Sequence, residues 1–145
     1  KVVARAIGTG LGGGIIIDGK IYHGKNNAAG EFGKTILQMG HTKTQWGKCS
    51  FEDLAAKKAY EKSGDTSEIV GIGVANLINS FDPEMIVLGG GGVASGRVKI
   101  ETVRRVAEKY FASPLSKKTP IVKSALGEYA QAIGAALLFK KNDIR

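Results

Sequence analysis

Two glycine-rich segments, each behind an apolar run, constrain the fold of this chain more than any other feature. The first reads IGTGLGGG over residues 7–14, and the second reads VLGGGGVASG over residues 87–96. Glycine allows backbone conformations closed to other residues, and it leaves room for an anion to approach main-chain amides. Both segments therefore predict bends at strand ends where a ligand can reach the backbone.

The two bends differ in what they connect. Residues 8–14 join strand to strand and lack both the Lys-Ser/Thr of a P-loop and the full spacing of a dinucleotide fingerprint, which argues against P-loop ATPases and Rossmann enzymes. A tight hairpin without a ligand is the alternative there. The second segment leads from a strand toward a helix, a location that ligands of α/β sheets favour. Its alternative is a plain strand-to-helix link.

The hydrophobic pattern predicts one mixed α/β domain over residues 1–145. Asp18-Gly19 predicts a two-residue hairpin, and Ser50 predicts a helix N-cap. A polar loop spans residues 23–34, a length that suggests a binding role. Strands are expected at residues 2–7, 14–17, 20–22, 35–39, 84–88 and 120–124, and helices at 51–61, from 65 or 66 to 81, at 100–111 and at 126–139.

Composition narrows the function classes. The net charge is +8, but the basic residues are spread along the chain, so we expect a solvated surface and no nucleic-acid face. One cysteine, Cys49, excludes an internal disulfide and fits a reducing cytoplasm. No apolar run approaches about 20 residues and no leader pattern is present, so neither a membrane segment nor a signal peptide is expected. The chain begins with Lys1 inside a strand pattern, which predicts a fragment.

Three ordered segments resemble the ROK family (repressors, open reading frames and sugar kinases) of the actin/hexokinase-like ATPase superfamily. They are IGTGLGGGIIIDGKIYHGKNNAAGEFGK, NLINSFDPEMIVLGGGGVASG and ALGEYAQAIGAALLF. The resemblance implies the C-terminal half of an actin-like, ribonuclease H-like fold: a mixed sheet with an antiparallel meander flanked by helices. It also implies a two-domain kinase whose N-terminal domain is missing from this chain.

The resemblance further implies a site for ATP with Mg²⁺ and for a sugar. Carboxylates suit the sugar because they accept hydrogen bonds from adjacent hydroxyls. The alternatives are a solvated surface charge for Glu31 and a dipole-favoured first-turn residue for Glu52. Lys34 stands at the family's histidine position, where an ammonium can donate a hydrogen bond but cannot accept one. The implied contacts are Gly8, Thr9, Gly10, Gly12 and Gly13 with the phosphates, Gly89, Gly90 and Gly91 with adenosine, and Glu31, Lys34 and Glu52 with the sugar.

The sequence departs from the family pattern in two ways. The zinc cluster is missing, and His23, His41 and Cys49 are too scattered for a structural zinc, so no metal site is expected. The catalytic aspartate is also missing, because no aspartate has the DxN context of the family. Hairpin, cap and helix-stop positions explain three of the five instead. The aspartates are Asp18, Asp53, Asp65, Asp82 and Asp143, and no catalytic residue is assigned to this chain.

Three functions follow as hypotheses. The first is a cytoplasmic, glucokinase-like hexose kinase whose base lies in the absent domain, so that the isolated fragment is inactive. The second is the sugar-effector-binding domain of a ROK-type repressor, in which case nucleic acid becomes a partner through an upstream helix-turn-helix. The third is a fragment that only dimerises through an exposed apolar surface. Homo-oligomers are expected for the family, and the residues upstream of Lys1 separate the first two hypotheses.

Overall fold

A computed structural model describes residues 1–38, 49–130, 132–134 and 136–137. In this part of the chain, five strands form one mixed sheet in the order β3-β2-β1-β4-β5. The first three strands form an antiparallel meander, and β1, β4 and β5 run parallel to one another. The strands are β1 (Val2–Ile7), β2 (Leu11–Ile17), β3 (Lys20–Ile21), β4 (Met85–Gly89) and β5 (Ile121–Lys123).

The hairpin between β2 and β3 confirms the turn prediction. Asp18 and Gly19 have φ angles of 51° and 73°, as a type I′ turn requires, and Ile17 pairs with Lys20. The predicted start of β2 at residue 14 was wrong, because the strand begins at Leu11. Strand β1 offers a pairing partner for every residue from 11 to 16, and this ladder outweighs the weak strand preference of glycine.

The helix predicted at residues 51–61 is divided in two. Helix α1 (Phe51–Ala55) is followed by an extended Ala56 and then by α2 (Lys57–Ser63). The break lets the amide of Lys57 donate a 2.9 Å hydrogen bond to the carbonyl of Gly8. Ser50 caps α1 as predicted: its side chain accepts from the amide of Asp53, whose carboxylate accepts from the amide of Ser50.

Helix α3 (Ser67–Phe81) confirms the long buried helix, and its glycines serve close packing. A β-carbon added at Gly71 would lie 2.7 Å from Cβ of Val106 on α5 (Ile100–Ala107), which follows the one-turn helix α4 (Gly91–Ala94). The helix ends at Asp82, which adopts the left-handed conformation at φ 40°. The helices α3 and α5 therefore pack together more closely than two helices with side chains at this position could.

The remaining predictions meet with mixed results. Helix α5 covers most of the predicted 100–111, with a 3-10 turn at Glu108–Tyr110. In place of the strand at 35–39, the described residues show only an isolated bridge between Ile36 and Ser50, and residue 39 lies outside the described part. Near the end of the chain, a 3-10 turn at Gly127–Tyr129 precedes helical residues 130, 132–134 and 136–137; the other residues predicted helical after 130 lie outside the described part.

The hydrophobic core lies on one face of the sheet, under α1, α3 and α5. Along β1, Val3 and Ile7 are fully buried in this core. The opposite face carries small residues and lines a cavity of about 450 Å³ beneath the last helical residues. Among the described residues, no helix combines the length and apolar character needed to cross a bilayer. The cavity is lined in part by Ala4, Ala6, Gly12, Gly14, Val87, Gly89, Ala130 and Gly134.

Candidate functional site

The two glycine segments meet at one edge of the sheet. Strands β1 and β4 are parallel neighbours, with Ala6 beside Gly89, so the bend at 8–10 and the bend at 90–92 leave the sheet at the same end. The contact is direct, since a β-carbon added at Gly90 would lie 2.7 Å from the amide nitrogen of Ile7. The structure therefore brings Gly8, Thr9 and Gly10, predicted for phosphate, to the same edge as the residues predicted for adenosine.

The first bend is shorter than predicted. Its closing hydrogen bond runs from the amide of Gly8 to the carbonyl of Gly10 at 2.9 Å, and Thr9 and Gly10 are exposed. Gly12 and Gly13, which were also predicted to hold phosphate, lie within β2. Gly12 lines the cavity together with Gly90 of the second bend. The bend at 8–10 follows the end of β1 at Ile7.

Gly13 serves close packing of the protein against itself. A β-carbon there would lie 2.6 Å from the ring of Phe32 and 2.9 Å from the carbonyl of Gly30. Gly30 has φ 95°, and a β-carbon on it would in turn lie 2.7 Å from the carbonyl of Gly13. These glycines let the loop at 30–34 lie directly on β2.

The residues predicted to bind sugar gather around a 3-10 turn at Phe32–Lys34. Nζ of Lys34 lies 2.6 Å from Oε1 of Glu52. The hydrogen bond with Glu52 raises the pKa of Lys34, and the negative charge of nearby Glu31 adds to that rise. Glu31, Lys34 and Glu52 therefore form one cluster, with Glu31 and Lys34 exposed.

Glu52 links this cluster to the first glycine bend. Its Oε2 accepts a 2.8 Å hydrogen bond from the amide of Leu11, and a β-carbon on Gly10 would lie 2.9 Å from the same oxygen. The hydrogen bond from Lys34 lowers the pKa of the Glu52 carboxyl, and the amide of Leu11 lowers it further. The sequence predicts Glu52 as a sugar contact, but nothing in it indicates this second contact, because the partners are 41 residues apart.

Sequence reasoning also missed an aromatic and a cationic side chain beside the second bend. Tyr60 on α2 is buried, and its ring would lie 3.5 Å from a β-carbon added at Gly92. The guanidinium carbon of Arg97 lies 5.0 Å from the centre of that ring, a cation–π distance. The only available signal was position, since Arg97 directly follows the second glycine segment.

The other candidates occupy local structural positions. Asp65 accepts a 2.8 Å hydrogen bond from the amide of Ser67, the first residue of α3, whereas Thr66 holds the N-cap position. Within the described residues, no three His, Cys, Asp or Glu side chains lie close enough to hold a metal ion. His23 is exposed, and Cys49 is a half-buried free thiol. His41 and Asp143 lie outside the described part.

The fold has counterparts among solved structures. A ROK family glucokinase from Streptomyces griseus, solved with glucose and AMPPNP, superposes with a TM-score of 0.79 at 23% identity, over 94% of this chain and 59% of that one. This likeness and the mixed sheet show that the described residues adopt part of an actin-like ATPase fold, the fold class predicted from the sequence.

Within that class, residues 1–63 and 51–142 match the ROK family model, and this chain belongs to the ROK family. It is 30% identical to the uncharacterized protein CPE0188 of Clostridium perfringens, over 98% of the chain and 56% of that protein. It is 26% identical to the glucokinase of Halalkalibacterium halodurans (94% and 55%) and 25% identical to the xylose repressor of Bacillus subtilis (92% and 42%). The chain thus spans about half the length of the curated relatives it matches.

Proposed function

We propose that this chain is the C-terminal half of a two-domain, ATP-dependent hexose kinase. The observation that carries the proposal is the contact of one carboxylate, Glu52, with both the first glycine bend and the loop predicted to bind sugar. Phosphoryl transfer depends mainly on positioning and charge neutralisation, and it requires donor and acceptor sites side by side. A continuous surface of this kind supports a kinase better than an isolated sugar pocket would.

The nucleotide would lie along the edge where the two bends meet. Apart from their own chain neighbours and helix backbone, no atom of the described residues lies within 4 Å of a β-carbon position at Gly8 or Gly91, so ligand atoms have room at both bends. Thr9 would donate its hydroxyl to phosphate, Gly89, Gly90 and Gly91 would lie against adenosine, and Arg97 would add positive charge. ATP, entering with Mg²⁺, would supply the phosphoryl group.

The sugar would bind at the cluster beside the first bend. Exposed Glu31 would accept hydrogen bonds from sugar hydroxyls, and Lys34 would donate one. In this proposal the base that takes the hydroxyl proton belongs to the N-terminal domain, and closure of the two domains would exclude water.

The second candidate is the effector-binding domain of a transcriptional repressor. The match to xylose repressors favours it, since two of them match over 92% of this chain, nearly as much as the glucokinase match covers. Residues upstream of Lys1 separate the candidates, because a kinase needs an aspartate in a DxN context there and a repressor needs a helix-turn-helix.

The test is a kinase assay on the full-length protein with a panel of hexoses. We expect Glu31→Ala to raise the sugar KM at least about tenfold, since losing a charged hydrogen-bond acceptor costs roughly 1.5–3 kcal/mol. Glu61→Ala is the matched control, because Glu61 is an exposed glutamate on α2 that pairs with Lys57. Residues 1–145 alone should give no turnover.

Two outcomes would contradict this proposal. An unchanged sugar KM in Glu31→Ala would remove Glu31 from the site. Sugar-dependent DNA binding by a full-length protein that transfers no phosphoryl group would favour the repressor. Sedimentation of the same protein tests the homo-oligomer expected for the family.

A further inference from the structure

We infer that Glu52 is a positioning residue that couples sugar binding to nucleotide binding, an inference that rests on the proposed function. Each oxygen of its carboxylate is engaged with a different region. Oε1 accepts from Lys34, in the loop predicted to bind sugar, and Oε2 accepts from the amide of Leu11, directly after the first glycine bend. One side chain thus joins the two regions.

The backbone around Glu52 is held in place by the cap of its own helix and by a hydrogen bond to the first bend. The Ser50–Asp53 capping box fixes the first turn of α1, where Glu52 lies. The amide of Lys57, beyond the end of the same helix, donates to the carbonyl of Gly8 in the bend. A shift of the Glu52 carboxylate would therefore move the bend, because the helix that carries Glu52 is itself fixed.

Glu52 and the loop around Lys34 pack tightly against the main chain of the first bend. The absence of a side chain at Gly10 is what admits Oε2, since a β-carbon there would lie 2.9 Å away. Gly33 likewise has no room for a β-carbon, because the carbonyl of Leu11 fills that space. Displacing either the loop or the carboxylate would shift the main chain at residues 10 and 11.

The other end of the link faces solvent and is open to a ligand. The side chain of Lys34 is 65% exposed, whereas that of Glu52 is 29% exposed. A sugar hydroxyl held between Glu31 and Lys34 would restrain the ammonium, keep its pairing with Glu52 and hold the amide of Leu11 in place. A restrained bend binds nucleotide more tightly, and by thermodynamic linkage nucleotide then tightens sugar binding by the same factor.

The experiment measures that factor in the full-length protein by calorimetry. The Kd of AMPPNP is determined without glucose and with saturating glucose. We expect glucose to tighten AMPPNP binding at least about fivefold in the wild type, the lower end of common coupling factors. Glu52→Ala should bring the ratio of the two Kd values to within about twofold of one. Glu52→Gln keeps an acceptor for Leu11 but loses the charge pairing with Lys34, so its ratio should fall between the two.

Glu61→Gln is the control, since Glu61 is an exposed glutamate on α2 whose carboxylate pairs with Lys57 at 3.6 Å. It should keep the wild-type ratio. A folded Glu52→Ala with the wild-type ratio would overturn the inference, and Glu52→Gln decides in the same way if the alanine variant does not fold. A wild type that binds neither glucose nor AMPPNP would instead contradict the proposed function, and one that binds both without coupling would contradict this inference alone.

Discussion

The two glycine-rich segments look alike in sequence but differ in the structure. In the first, Gly10 lies against Glu52 and Gly13 lies against Phe32, while Gly8 faces open space. In the second, Gly90 rests on the backbone of Ile7, while Gly91 faces open space. A glycine shows that something approaches the backbone closely, and only its neighbours show whether a ligand or the protein itself does so.

The largest expected effect is at Gly90, which has φ 87° and ψ 172°, a region essentially restricted to glycine. Alanine there adds backbone strain and collides with Ile7, so Gly90→Ala should cost about 3 kcal/mol or more of unfolding free energy. Gly91→Ala, one residue away and with nothing within 4 Å, should change stability by less than about 1 kcal/mol. Urea denaturation measures the unfolding free energy of both variants. Equal losses in the two would contradict this difference between Gly90 and Gly91.

The first segment should separate in the same way into packing and open glycines. Gly13→Ala should lose about 1–3 kcal/mol of stability, because its β-carbon would lie 2.6 Å from the ring of Phe32. Gly8→Ala meets no described residue within 4 Å beyond its chain neighbours and should stay within about 0.5 kcal/mol of the wild type.

Nucleotide titration tests whether the open space at Gly8 is a binding site. Gly8→Ala should raise the AMPPNP Kd roughly tenfold, about 1.4 kcal/mol, because the added methyl group occupies space proposed for phosphate. A Gly8→Ala variant with unchanged stability and unchanged affinity would place the phosphates elsewhere.

Glu52 should make stability depend on pH through its charge. Its folded pKa lies below the ordinary 4.5, so its contribution is fully present above about pH 4.5 and is lost as pH falls through the folded pKa. Glu52→Gln should therefore be about 1 kcal/mol or less below the wild type in stability at pH 7, because glutamine keeps an acceptor for the amide of Leu11 and loses only the charge pairing with the exposed Lys34. The difference should vanish in acid. Urea denaturation at pH 7, 5 and 3 checks this, and a constant difference would contradict a role for the charge.

The smallest effect is expected at Arg97 beside the second bend. Arg97→Gln in the full-length protein should raise the nucleotide KM about threefold and leave the sugar KM unchanged, because an exposed cation contributes only about 0.5–1 kcal/mol. Arg105→Gln is the control, as Arg105 lies on α5 and faces Glu68 at 3.9 Å. Equal changes in the two variants would mean that Arg97 acts only through the overall charge.

Local chemistry accounts for the predictions that succeeded. The Asp18-Gly19 hairpin, the Ser50 cap and the end of α3 at Asp82 depend on conformational preferences of adjacent residues, which a sequence displays directly. The predictions that failed depend on distant partners. Strand β2 begins earlier because β1 pairs with it, and the helix at 51–61 breaks where Lys57 reaches Gly8.

By itself, the sequence determined the family and most of the order of strands and helices, because periodicity, caps and ordered motifs are carried by neighbours along the chain. It also predicted which residues could contact a ligand. Only the tertiary structure decided which glycines admit protein and which remain open, and that Glu52 joins the bend to the loop around Lys34. The physical reason is that van der Waals contact and hydrogen bonding act over a few ångströms in space, between residues that the chain separates by tens of positions.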